Sequence, residues 1–195
     1  MTHTYTPGTA LVVVDVQNDF ADPAGSLAVR GGTDVVRAAS AEVEAATAAG
    51  APVLYTQDWH PADTPHFAKD GGTWPVHCVQ GTWGAALHPD LPVRGEVVRK
   101  GEHGEDGYSG FNMKDPLTER VVPTPLAQLL REVGAERLVV VGLATDYCVR
   151  ATALDARALG WPVVVPWSAV AAVDLEPGDG ERTREELLRA GVVIA

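Results

Sequence analysis

The sequence predicts an α/β fold in which a parallel sheet is covered by helices on both faces. Short apolar segments alternate along the chain with segments of helical periodicity, an order typical of βαβ units. Several apolar segments lack the alternation of a half-exposed strand, which indicates burial on both faces. The predicted strands are 10–16, 52–57, 96–100, 138–141, 162–166 and 192–194. The predicted helices are 33–49, 124–134, 145–160 and 179–190, the first and third capped by Thr33 and Thr145.

The chain of 195 residues is expected to form one large domain, 1–195, with a substantial buried core. No apolar run approaches the length of a membrane span, and the first eight residues lack the pattern of a signal peptide. Two cysteines do not make a disulfide framework. Together these features predict a cytoplasmic protein.

The formal net charge is −11, and the sequence contains no basic cluster. Binding to nucleic acid or to anionic membranes draws on lysine and arginine, so neither partner is expected. We interpret the acidity as serving solubility.

Cys148 is predicted to lie at a strand-to-helix junction, because the apolar run 138–141 ends at Gly142 and a helix follows. The first turn of a helix carries unpaired N–H groups, which favour a thiolate and can bind an oxyanion. Cys148 is therefore a candidate nucleophile. From this stretch alone, a buried structural cysteine is the alternative.

Asp15 and Lys100 also stand at the ends of predicted strands. A carboxylate at the end of a buried strand is costly, so Asp15 is either paired for structural reasons or catalytic. The carboxyl ends of parallel strands share one edge of a sheet, so Asp15, Lys100 and Cys148 are expected to meet there. A thiol nucleophile, a carboxylate that carries its proton and a cation beside both form a coherent catalytic set.

A long segment without regular structure, 58–94, separates the second and third predicted strands, and such segments are usually functional. It contains Asp58, His60, His66 and His77. One carboxylate and three imidazoles suit a divalent transition metal such as Zn, Fe or Mn. The alternative is that these histidines are ordinary surface residues. The segment 101–123 is a second glycine-rich loop.

Six motifs spread over nearly the whole chain resemble those of the isochorismatase-like cysteine hydrolases. The first and last of them mark the superfamily, and the histidine-containing motifs between them are specific to its nicotinamidase-like branch. The motifs are Asp15-Val-Gln-Asn-Asp-Phe20, Asp58-Trp-His60 with His66, Trp74-Pro-Val-His77-Cys78, Lys100-Gly, Tyr108-Ser-Gly-Phe111 and Gly142-Leu-Ala-Thr-Asp-Tyr-Cys148-Val.

The resemblance implies one six-stranded parallel sheet between two helical layers, as in Rossmann-like folds. It implies a non-proline cis peptide between Leu143 and Ala144. The implied site residues fall into four groups: a triad of Asp15, Lys100 and Cys148; an oxyanion hole of the Ala144 and Cys148 N–H groups; substrate contacts from Phe20, Trp74 and Tyr108; and one divalent metal on Asp58, His60, His66 and His77.

The implied reaction is hydrolysis of nicotinamide to nicotinate and ammonia through a thioester on Cys148, as part of NAD salvage. The expected partner is this small molecule, and assembly into a homo-oligomer is left open. The metal either holds the pyridine nitrogen, directly or through water, or lowers the pKa of the hydrolytic water.

Two alternatives stay open. The first is a different hydrolase on the same scaffold, either an amidohydrolase acting on ureidoacrylate or N-carbamoyl amines, or an enzyme acting on isochorismate-like enol ethers. The second is a catalytically silent binding module, which is expected to lack a triad member, whereas all three are present. Tyr147 stands where several relatives carry His, so the role of that His is not carried over.

Overall fold

The computed structural model describes residues 3–195. The strands are β1 (Thr9–Val14), β2 (Val53–Asp58), β3 (Val97–Lys100), β4 (Asn112–Lys114), β5 (Val121–Pro123), β6 (Arg137–Leu143), β7 (Val163–Val165), β8 (Val170–Ala171) and β9 (Val193–Ile194). The helices are α1 (Asn18–Ala21), α2 (Gly32–Ala48), α3 (Leu126–Glu132), α4 (Arg150–Ala158) and α5 (Asp179–Arg189).

The main sheet is parallel, with the strand order β3-β2-β1-β6-β7-β9. These six strands are the predicted ones, with ends that differ by a few residues. A seventh strand, β8, pairs in parallel with the end of β6 and was not predicted. Two residues are too few to give a periodic signal, so β8 could not be recognised in the sequence.

The sheet separates two apolar cores, which confirms the predicted layers. Side chains of β1 alternate between them: Leu11 and Val13 face one core, and Val12 and Val14 face the other. Helix α2 covers the first core with Val35, Val36, Ala39, Val43 and Ala46. Helices α3, α4 and α5 cover the second with Leu126, Leu130, Ala153, Ala156 and Leu187. The single domain over residues 1–195 stays a prediction, which these cores around one sheet support.

Both predicted threonine caps are wrong. Helix α2 begins at Gly32 after Gly31, whose φ of 88° is the left-handed region that glycine tolerates, and no side chain caps it. The segment Thr145–Val149 forms one π-helical turn that follows extended Ala144, and α4 begins only at Arg150. Cys148 therefore lies in a wide turn between β6 and α4.

The loop segments were predicted in part. Segment 59–96 contains only a short 3₁₀ helix, Ala68–Asp70, in agreement with the prediction. Segment 101–123, predicted as loop, contains the antiparallel hairpin of β4 and β5. Each of these strands has three residues and is partly exposed, so neither carries an apolar pattern. Between residues 3 and 195, no helix is long and apolar enough to span a membrane, and the predicted compartment stays a prediction.

Candidate active site

The strand register brings the three triad candidates to one edge of the sheet. Asp15 follows β1, whose last residue pairs with Gly142 of β6. Lys100 is the last residue of β3 and pairs with Asp58 at the end of β2. Cys148 lies in the turn that follows β6. The expectation that residues distant in sequence meet at this edge is confirmed.

Lys100 contacts both other triad candidates. Its Nζ lies 2.8 Å from Asp15 Oδ2 and 3.7 Å from Cys148 Sγ. Lys100 and Asp15 are 1 % and 0 % exposed, so their charges meet without solvent screening. Thr56 on β2 donates its hydroxyl to Asp15 Oδ1 at 2.6 Å and accepts the Asp15 N–H at 3.2 Å. These contacts fix the carboxylate of Asp15 beside the sulfur.

Burial determines the protonation of the nucleophile. It raises the pKa of the Cys148 thiol well above its usual value, although the Lys100 cation opposes the shift. Burial likewise raises the pKa of Asp15, again against Lys100. Burial disfavours charge on Lys100 too, but Asp15 and Asp58 outweigh it and hold the pKa of Lys100 well above its usual value. Burial of Cys148 thus opposes the thiolate that the predicted helix end was expected to favour, whereas the Lys100 cation favours it.

The three histidine candidates come together in a buried cluster beside the triad. One ring nitrogen from each of His60, His66 and His77 lies within 4.8 Å of the others. Asp58 lies between the cluster and the triad, with Oδ2 3.8 Å from His60 Nε2 and Oδ1 2.8 Å from Lys100 Nζ. The structure thus brings the three histidines together, with Asp58 beside His60, and a metal site formed by all four residues stays a prediction.

The donor set fits a divalent metal. Neither ring nitrogen of His60 has a hydrogen-bond partner within residues 3–195, and an unpaired buried imidazole is unfavourable unless a ligand satisfies it. Burial lowers the pKa of His77 to about 4, which keeps that ring in the neutral form that binds metals. Burial disfavours charge on Asp58, but Lys100 and the neighbouring histidines together hold the pKa of this carboxyl below its usual range, which favours the ionised form.

Backbone and neighbouring groups orient the cluster. His77 Nδ1 lies 2.7 Å from the carbonyl oxygen of Pro75, and His66 Nδ1 lies 2.8 Å from Asp106 Oδ1. Gly101 has a φ of 77°, and a Cβ built there would stand 2.6 Å from His60 Nδ1. A side chain at residue 101 is therefore incompatible with this position of His60.

Two residues of the first motif hold the irregular segment 59–96 against the sheet, and neither was predicted to have a role. Asp19 accepts the Cys78 N–H at 2.7 Å and the Ser26 N–H at 3.0 Å. Gln17 bonds both backbone groups of Asp58, donating to its oxygen at 2.7 Å and accepting from its nitrogen at 2.8 Å. In the sequence, Gln17 and Asp19 are noticeable only as polar residues directly after a buried strand. Their partners are backbone groups, which the sequence does not specify.

Asp146 has a similar role on the other side of the site. Its carboxylate accepts the N–H groups of Val173 and Asp174, both at 2.9 Å. Val173 lines the cavity described next. Asp146 thus holds the segment after β8 over the turn that carries Cys148.

One cavity contains the triad cysteine, the metal-ligand candidates and the predicted substrate contacts. Trp74 Nε1 donates to the Tyr108 hydroxyl at 3.0 Å, and the Tyr147 ring lies edge-on to Trp74 with centroids 4.9 Å apart. The walls are mainly apolar and aromatic, as in sites for small organic molecules. The cavity is lined by Phe20, Leu27, Val29, Asp58, His60, His66, Trp74, His77, Gly107, Tyr108, Ala144, Tyr147, Cys148 and Val173.

The peptide bond between Leu143 and Ala144 is cis, as the resemblance implied. Ala144 and Cys148, the two predicted oxyanion-hole residues, both line the cavity. Their role in binding an oxyanion stays a prediction.

The family model described as Isochorismatase domain matches residues 9–184. The chain belongs to the isochorismatase family. The predicted fold class and family are thereby confirmed.

Three of the similar proteins have more specific descriptions. A nicotinamidase of Escherichia coli (strain K12) is 37 % identical over 206 aligned residues, which cover 96 % of this chain and 94 % of the relative. PnC1 of L. infantum, solved in complex with nicotinate, is 37 % identical with a TM-score of 0.89, covering 100 % of this chain and 96 % of that one. The pyrazinamidase of Pyrococcus horikoshii, solved in complex with zinc, is 38 % identical with a TM-score of 0.86, covering 97 % and 99 %.

Proposed function

We propose that this protein is a nicotinamidase, which hydrolyses nicotinamide to nicotinate and ammonia. The observation that carries the proposal is the single cavity in which Cys148, the imidazole cluster and a set of aromatic side chains face one another. A flat heteroaromatic amide presents its ring to the aromatic walls and its carboxamide to the sulfur. The relatives named nicotinamidase support this substrate. Its product would enter NAD salvage.

The chemistry begins with a proton transfer. Asp15, whose carboxylate oxygen lies within 4.8 Å of Cys148 Sγ, removes the thiol proton as the sulfur attacks the carboxamide carbon. Collapse of the tetrahedral intermediate breaks the C–N bond, and Asp15 returns the proton to the departing ammonia. The acyl group remains on Cys148 as a thioester. Water, deprotonated by Asp15, then cleaves the thioester to release nicotinate and the free thiol.

Charge that develops during these steps has two stabilising partners. Lys100 stays next to both Asp15 and the sulfur, so it stabilises whichever of them is anionic. The N–H groups of Ala144 and Cys148 are assigned to the oxyanion of the tetrahedral intermediate. Fixed donors of this kind need no reorganisation during the reaction.

Substrate binding is assigned to Phe20, Trp74 and Tyr108. Aromatic faces suit a pyridine ring through stacked or edge-on contacts. The hydrogen bond from Trp74 to Tyr108 fixes the relative orientation of these two walls. The cavity therefore favours a small planar substrate over a flexible ureido acid.

Asp58, His60, His66 and His77 would hold one divalent metal, and the donor set does not distinguish zinc, iron and manganese. A bound ion there acts as a Lewis acid, towards the pyridine nitrogen or towards water. Elemental analysis of protein purified without chelators is expected to find one metal per chain, and His60→Ala to lose most of it. Full metal content in His60→Ala would place the ion elsewhere.

The substrate is tested by measuring ammonia release from nicotinamide, ureidoacrylate and N-carbamoylsarcosine at equal concentrations. We expect nicotinamide to be hydrolysed with the highest kcat/KM by at least one order of magnitude. Preference for a ureido substrate would reassign the protein to another amidohydrolase activity. No hydrolysis of any of the three by metal-loaded protein would favour a silent binding module.

A further inference from the structure

Asp106 is a carboxylate that the proposed mechanism does not use, and it contacts one of the metal-ligand candidates. Its Oδ1 lies 2.8 Å from Nδ1 of His66, whose side chain is 7 % exposed. The Asp106 side chain as a whole is 45 % exposed, but Oδ1 itself is buried and has no hydrogen-bond partner of regular geometry within residues 3–195, so its polar contact is this close approach to His66. The buried oxygen is thus directed at His66 while the rest of the carboxylate faces solvent.

The other ligand candidates have different outer contacts. Asp58 contacts Lys100, a triad residue. His77 contacts the backbone oxygen of Pro75, and neither nitrogen of His60 has a partner in the described chain. Substitution of Asp106 therefore changes a side-chain contact of the histidine cluster without changing a triad residue.

We propose that Asp106 is a positioning residue that orients His66 for metal binding. A carboxylate at Nδ1 holds the ring proton there, so Nε2 keeps the lone pair that a metal needs. It also fixes the rotation of the ring and increases the basicity of Nε2. The proposal rests on the proposed metal site.

The backbone of Asp106 is anchored independently of its side chain. Its N–H donates to the Lys114 oxygen at 2.8 Å, and the Lys114 N–H donates to the Asp106 oxygen at 2.5 Å, so residue 106 pairs with strand β4. The next two residues, Gly107 and Tyr108, line the cavity. A substitution of the side chain should therefore leave the hairpin in place and change mainly the contact with His66.

The test measures metal affinity without any substrate. The full chain is stripped with a chelator and titrated with Zn²⁺ against a competing chromophoric chelator, and Co²⁺ loading gives a visible spectrum of the coordination. We expect Asp106→Ala to weaken Zn²⁺ binding about 10- to 100-fold and to alter the Co²⁺ spectrum. Asp106→Asn keeps an acceptor oxygen without the charge, so its affinity should lie between those of Asp106→Ala and the unaltered chain.

Glu105→Gln is the matched control, because Glu105 is the adjacent acid and its carboxylate accepts, within residues 3–195, only the His103 N–H at 2.9 Å. Its Zn²⁺ affinity should equal that of the unaltered chain. Equal affinity in Asp106→Ala, Asp106→Asn and the unaltered chain would overturn the role of Asp106 while leaving the metal site intact. Failure of the unaltered chain to bind Zn²⁺ or Co²⁺ would overturn the metal site and this inference together.

Discussion

The triad candidates lie at the ends of regular strands or in the turn after one. The three histidines lie in the irregular segment 59–96. Strand register alone brings Asp15 and Lys100 to one edge. The irregular segment is held at the same edge by individual hydrogen bonds, such as those from the Cys78 N–H to the Asp19 carboxylate and from the His88 N–H to the Val16 oxygen. One half of the site is thus positioned by sheet pairing and the other by individual polar contacts.

This difference determines how each half responds to substitution. A change in the strand half removes a reacting group from a rigid, close-packed frame. A change in the loop half shifts ligands through contacts that take no part in the chemistry. Substitutions in the strand half should therefore cause the largest losses of activity, and those in the loop half should cause smaller, partial losses.

The two cysteines provide the strongest test of this comparison. Cys148→Ala should lower kcat by about 10³-fold or more, because the group that forms the thioester is gone. Cys78→Ala, in the irregular segment, should retain most activity, since the Cys78 side chain packs in the apolar core and its Sγ makes one weak hydrogen bond within residues 3–195, at 4.0 Å to the Gly84 oxygen. Mass spectrometry of an acid-quenched reaction should find the acyl adduct on Cys148. An adduct on Cys78, or an active Cys148→Ala variant, would reverse the assignment.

Lys100 gives the next largest expected effect, because it links the two halves through Asp15 and Asp58. Lys100→Ala should lose most of kcat, and so should Lys100→Arg, whose wider planar head does not fit the same buried space. The Lys100 cation lowers the pKa of Cys148 against the effect of burial. Its removal should therefore raise that pKa further.

The pH dependence of Cys148 alkylation measures this effect, because only the thiolate reacts. Alkylation should increase with pH in both proteins, and the Lys100→Ala profile should lie at higher pH. Both proteins also carry Cys78→Ala, so that Cys148 is the one cysteine whose alkylation is measured. Coincident profiles would remove Lys100 from the activation of the nucleophile.

Asp19 tests the loop half. Asp19→Ala leaves the Cys78 N–H without its acceptor in a buried site, which should cost about 1–3 kcal/mol. For a chain of this length the melting temperature should fall by about 2–10 °C. Metal content should decrease, because His77 adjoins the released peptide, while the alkylation rate of Cys148 should change little.

Asp90→Asn is the control for Asp19→Ala, because the Asp90 side chain is 83 % exposed. Its melting temperature should stay within about 2 °C of the unaltered protein. Equal losses in metal content and in Cys148 reactivity for Asp19→Ala would show that the two halves are not positioned separately.

The same difference explains what the sequence could predict. Six strands and the meeting of Asp15, Lys100 and Cys148 followed from apolar runs and from the geometry of parallel sheets. The metal-ligand candidates were predicted from residue type and from the resemblance, since periodicity gives no information about segment 58–94. The roles of Gln17, Asp19, Asp106 and Asp146 were missed because each bonds a group distant in sequence.

Tyr147 lies where the two halves meet, and its substitution should have the smallest effect. It is in the turn that carries Cys148, yet its ring packs edge-on against Trp74 from the irregular segment and against Tyr108, with centroids 4.9 and 5.2 Å apart. Aromatic contacts of this kind contribute about 0.5–1.5 kcal/mol. Tyr147→Ala should accordingly raise KM for nicotinamide by about 2- to 10-fold and change kcat less.

The Tyr147 hydroxyl forms no hydrogen bond within residues 3–195, so Tyr147→Phe should keep both constants within about twofold, as only the ring makes the contacts. Steady-state kinetics on both variants separates these roles, and an equal loss in Tyr147→Phe would assign the effect to the hydroxyl instead of the ring.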